Sequence, residues 1–176
     1  MGAILFSADG VPLAFFATTI SEADLTRFKA VRGDPAYMAE WEMLAILVAL
    51  KLWTFQLRGA HAAFVVQADS AAALGVAIKL ASPKPVLNAL AAEAALVLEE
   101  IGTDIVVGQH YRGILNVEAD ALSGLTEGKS IPTSLAHLQA SKAPARDDRF
   151  FRAWPPEWKE AVRLEATATV GFPQMQ

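Results

Sequence analysis

Two short apolar runs open the chain, residues 2–6 and 11–17, separated by Ser7-Ala8-Asp9-Gly10. Asp-Gly between β-prone runs predicts a hairpin, because both residues tolerate positive φ. Residues 21–35 are polar and mixed, and read as a connection. From Ala36 to about Phe55 neither Gly nor Pro interrupts the chain, and apolar positions recur at Leu44, Val48 and Leu52 and at Ala45, Ala49 and Trp53. That i, i+4 spacing predicts a long helix with a buried face. Residues 62–68 form a nearly continuous apolar strand of the kind buried in an α/β sheet. Asp69-Ser70 ends it, and residues 71–78 read as a short helix. Ser82-Pro83-Lys84-Pro85 breaks the chain before a second long helix, residues 85–100, with Gly102 placed to cap it. Residues 104–109 give another strand, and residues 116–122 a last helix.

The order β-β-α-β-α-α-β-α predicts an α/β domain with helices packed on a mixed sheet, spanning residues 1–125. Past Leu125 the composition turns polar, with Pro132 and Pro144. Residues 126–176 read as a linker or C-terminal appendage, with one short helix at 157–164. Phe150, Phe151, Trp154 and Trp158 have three uses open to them: docking on the domain, binding a partner, or starting a further region.

The 176 residues suffice for one domain with a core and a tail. The hydrophobic fraction is 53%, much of it alanine, and mean hydropathy is +0.32. The longest apolar stretches stop at Lys51 or are interrupted by Asn88 and Glu93, short of the roughly 20 residues that span a bilayer. No membrane association is expected. No secretory signal is evident, and Phe6 stands where an N-myristoylation motif wants Ser or Thr. The chain has no cysteine, which excludes disulfides and thiolate metal sites. An intracellular location, cytoplasmic or nuclear, is the expectation. A net charge of −4 argues against a free-standing nucleic-acid binder that works through bulk charge. Such affinity would have to come from a local groove, a bound cation or a fused neighbour. No Gly-x-Gly-x-x-Gly or P-loop string follows a predicted strand, which sets a doubly wound nucleotide-binding domain well behind.

Three carboxylates stand out, and in α/β sheets strand ends and the adjoining helix starts are where ligands converge. Glu42 lies in the first turns of the long helix, Asp69 directly follows a buried strand, and Asp120 sits in a short helix among small apolar residues. Singly, each has a plain structural reading: a helix-dipole partner, an N-cap, a solvated helix position. Together, hard oxygen ligands of this kind suit Mg²⁺ or Mn²⁺.

The local strings sharpen this. Glu42-Met43-Leu44-Ala45-Ile46-Leu47-Val48-Ala49-Leu50 resembles the first-helix motif of ribonuclease H domains. Val65-Val66-Gln67-Ala68-Asp69-Ser70 resembles the strand that ends there in Asp-Ser or Asp-Asn. His110-Tyr111-Arg112-Gly113-Ile114-Leu115-Asn116-Val117-Glu118-Ala119-Asp120-Ala121-Leu122-Ser123 resembles the closing motif of retroelement ribonuclease H, with Arg112 in place of a Pro and Gly124 in place of a frequent Arg. The resemblance covers residues 2–125.

It implies a ribonuclease H-like fold and hydrolysis of the RNA strand of an RNA–DNA hybrid. Two Mg²⁺ or Mn²⁺ ions would be held by Glu42, Asp69 and Asp120. It gives His110 a part in proton transfer or product release and Asn116 a part in ordering the helix start. A reverse-transcriptase region upstream in the same polyprotein is the implied partner. The family's first catalytic Asp, on a strand that would lie between residues 2–6 and 62–68, has no counterpart. Asp9 sits in the hairpin turn and does not replace it. An N-terminally truncated chain with impaired activity is therefore expected. The alternative is a catalytically dead module with a structural or nucleic-acid-binding role.

Overall fold

The computed structural model describes residues 1–58, 64–103, 105–110, 117–125 and 128–156. The hairpin forms as the Asp-Gly signal predicts, with β1 (Gly2–Phe6) antiparallel to β2 (Pro12–Ala17). Gly10 takes φ +76°, the Gly10 N–H donates to the Ser7 carbonyl at 3.0 Å, and the Ser7 N–H donates to the Val11 carbonyl at 2.8 Å. Strand alternation splits the hairpin's side chains between two apolar clusters. Ala3, Leu5 and Phe16 face the main core, while Ile4, Phe15 and Ala17 meet Leu122 and Leu135 on the other side.

The stretch read as a connection contains a helix, α1 (Glu22–Phe28). Ser21 and Asp24 form a reciprocal capping box, satisfying two N-terminal amides that the first turn leaves orphaned. A 3₁₀ turn at Pro35–Tyr37 leads into α2 (Met38–Leu52), and a further turn, α3 (Thr54–Leu57), follows Trp53. The one long helix expected over 36–55 is thus a 15-residue helix with short turns at either end. Its burial is nearly all-round: Met43, Leu44, Leu47 and Val48 are wholly inaccessible. It packs against β1, α4 and α5.

β3 (Phe64–Ala68) leads through α4 (Ala71–Lys79) and α5 (Pro85–Ile101) to β4 (Ile105–His110), which runs parallel to β3. Ser70 caps α4, its Oγ accepting the Ala73 N–H at 3.2 Å. Pro85 opens α5 and Gly102, at φ +78°, closes it. At Gly108 a Cβ would collide with Ile78, so the missing side chain lets α4 lie against β4. The last helix is α6 (Val117–Ser123). Asn116, predicted at its start, lies outside the described residues.

The domain is therefore α/β, with one antiparallel and one parallel strand pair. β1 and β3 do not pair, and among the described residues each keeps one edge without a strand partner. The outer edge of β2 is met by residues 140–141, where the Ser141 N–H donates to the Phe15 carbonyl at 2.8 Å.

Beyond residue 125 the chain returns to the core. Phe150, Phe151 and Trp154 are 5% exposed or less and belong to the main cluster. The Phe28 ring is stacked between Trp41 and Trp154, at centroid distances of 4.9 and 5.4 Å. Arg146 Nη2 reaches Asp24 at 2.7 Å and the Thr19 carbonyl at 2.6 Å. Of the three uses open to these aromatics, docking is the one seen for Phe150, Phe151 and Trp154. Trp158 and the helix predicted at 157–164 lie outside the described residues.

Candidate functional site

Glu42 projects from the second turn of α2 and is half-buried. Its carboxyl is pushed up to about 7, first by burial and then by the negative charge of Asp69, with the Met1 ammonium pulling the other way. Two carboxylates from separate elements thus feel one another. Glu42 comes from the start of α2 and Asp69 from the end of β3.

Asp69 is exposed and directly follows β3. The plain reading of Asp69-Ser70 as a helix cap belongs to Ser70 alone. His110, at the end of β4, places Nε2 2.9 Å from the Asp69 carbonyl oxygen. A carbonyl can only accept, so Nε2 is the donor in this contact. The parallel register sets Ala68 opposite His110, which is why the histidine meets the end of β3. One residue back, Gln67 Nε2 donates to Gln109 Oε1 at 2.9 Å.

Asp120 is engaged elsewhere. It is exposed on α6, and its Oδ2 lies 2.7 Å from Lys129 Nζ. Among the described residues, no three His, Cys, Asp or Glu side chains stand close enough together to hold a metal ion. The structure brings Glu42, Asp69 and His110 to one region and leaves Asp120 paired with a lysine. Sequence reasoning missed Lys129. The one available signal was Gly124, noted only as a departure from the family pattern.

Glu42 and Asp69 are both oxygen donors, and no third His, Cys, Asp or Glu side chain among the described residues joins them closely enough to complete a metal site. The pair is mutually repelling, and desolvation disfavours the charged form of Glu42. Two shallow depressions flank residues 144–152; Glu42, Asp69 and Asp120 line neither. No helix among the described residues is long and apolar enough to cross a membrane.

Compared with known proteins, the chain matches no family model, no curated protein and no solved structure.

Proposed function

We propose that this chain carries a ribonuclease H-type site for hydrolysing the RNA strand of RNA–DNA hybrids. The observation that carries the reading is the coupling of Glu42 to Asp69, with His110 bonded to the Asp69 main chain. It agrees with the motif order that pointed to a ribonuclease H-like fold.

In this site Glu42 and Asp69, with Asp120 once released from Lys129, would hold Mg²⁺ or Mn²⁺. The ions would supply activation of water and stabilisation of the leaving 3′ oxygen. Asp69 presents its carboxylate without a competing helix-cap role, since Ser70 performs that task. His110, anchored to the Asp69 main chain through Nε2, would assist proton transfer or product release. Recognition of the hybrid would rest on groove shape and 2′-hydroxyl contacts rather than base edges. An upstream reverse-transcriptase region remains the natural partner under this reading.

The fourth carboxylate that the resemblance implies has no counterpart in these 176 residues, which supports weak activity of the chain by itself. A second reading, a module that does no chemistry, draws support from the pairing of Asp120 with Lys129. Calorimetric titration with Mn²⁺ separates the two. Binding that is lost in Asp69→Asn supports the nuclease reading; a folded chain that takes up no Mn²⁺ sinks it. Robust Mg²⁺-dependent cleavage of a labelled hybrid by the purified chain would overturn the expectation of weak activity.

A further inference from the structure

The groove formed by α1, α2 and α5 is lined with groups that need an occupant. Asp24 and Glu93 are wholly buried and Arg27 is 3% exposed. Each finds a partner in the C-terminal segment. Arg146 Nε and Nη2 reach the Asp24 carboxylate at 2.9 and 2.7 Å. Arg27 Nη1 donates to the Arg146 carbonyl at 3.0 Å, and the Ala153 N–H donates to the Glu93 carboxylate. Between these polar points Trp154 covers Phe28, and the Arg27 guanidinium sits 4.4 Å from the centroid of the Phe151 ring. An empty groove would strand three charges in the interior and open one face of Phe28 to water, so a folded chain keeps it filled.

The groove does not specify which copy of the segment fills it. Even the pair closest in sequence, Glu93 and Ala153, stands 60 residues apart, so none of these contacts depends on the local path of the chain. The path is set by residues 128–132. Gly128, Lys129, Ser130 and Ile131 are exposed, and Pro132 holds extended backbone at φ −53° and ψ 140°. From Thr133 the chain packs again, with Leu135 beside Phe15 and Leu122, and Ser141 on the edge of β2. An extended, exposed link that joins two packed parts is suited to act as a hinge, since Pro132 disfavours helical reversal at the residue before it.

We propose that residues 133–154 exchange between two copies of this chain, each copy's segment seated in the other's groove, with residues 128–132 as the hinge. A segment from a second copy makes every contact described above unchanged. The exchange therefore costs only the altered hinge and the independent motion of one copy. Reciprocal exchange closes at two copies and leaves no groove open. The proposal does not depend on the nuclease reading.

The test is refolding of the full chain from urea at rising protein concentration, read by light scattering on a sizing column. The expected product is a dimer of twice the 18.8 kDa chain mass, with a share that grows with concentration. Refolding a mixture of isotope-labelled and unlabelled chains locates the segment. An isotope-filtered Overhauser contact between Phe28 of one copy and Trp154 of the other is expected. Deleting Ser130 and Ile131 should shift the population toward dimer, and a Gly-Ser insertion at the same point toward monomer. A parent chain that stays monomeric at every concentration overturns the proposal. So does a dimer in which the contact between Phe28 and Trp154 remains within each copy.

Discussion

Lys51 Nζ lies 3.1 Å from Glu93 Oε2, and each partner also holds main chain from the C-terminal segment. Lys51 donates to the Phe150 carbonyl, and the Ala153 N–H donates to the Glu93 carboxylate. Glu93 is wholly buried, and burial lowers the Lys51 pKa against the pull of Glu93. Removing one member of such a pair strands a charge in the interior. Glu93→Ala should cost about 3–5 kcal/mol in urea unfolding and open residues 150–154 to limited proteolysis. Loss of stability without new cleavage there would contradict the anchoring role.

Trp154 stacks on Phe28 and meets Phe151 edge-on at 4.8 Å. Trp154→Ala should therefore destabilise the whole domain by about 3–5 kcal/mol. An unchanged unfolding midpoint would mean that this segment is an independent appendage after all.

Glu42 predicts a pH dependence with a definite sign. Its carboxyl is raised from 4.5 to about 7, so between those values the folded chain holds more protons than the unfolded one. Stability then falls as pH rises through this window: the penalty is absent below pH 4.5 and complete above about pH 7. Glu42→Gln should gain about 1–2 kcal/mol at pH 8, allowing for partial solvation, and nothing at pH 4. Urea midpoints at the two pH values check this, and a gain that persists at pH 4 would assign it to packing.

Asp69 is the second cause of that elevation, after burial. Asp69→Asn should lower the Glu42 titration midpoint partway, as read by carboxyl carbon NMR, while leaving α4 capped by Ser70 and the fold intact. An unmoved midpoint would show that the two carboxylates are not coupled. In an extended chain that cleaves hybrid, the same substitution should abolish turnover.

The elements read from local signals are those whose causes are local. Asp9-Gly10 makes the turn, Pro85 and Gly102 bound α5, and the i, i+4 apolar spacing marks α2. Helix α1 escaped because its inward face is charged: Asp24 and Arg27 are buried, against the pattern that burial usually follows. Their partners, Arg146 and Asp148, stand about 120 residues away, where no periodicity can reach. The site divides in the same way. Motif order assigns Glu42, Asp69, Asp120 and His110 to one site, whereas in the structure Asp69 acts on Glu42 and meets His110 through its carbonyl while Asp120 pairs with Lys129. The hold on Asp120 depends on a lysine nine residues later and on a side chain that Gly124 does not have. Such a contact becomes visible only once the backbone has brought the two together.

The sandwich of Trp41, Phe28 and Trp154 joins the first third of the chain to residues near its far end. During synthesis the hairpin, α1 and α2 emerge long before the residue that completes their packing. Until Trp154 has left the ribosome, one face of Phe28 stays open to water and to other chains. Contacts this distant in sequence are slow to form. Between the emergence of α2 and that of Trp154 the nascent core is therefore unfinished, the state in which a chaperone has most to hold.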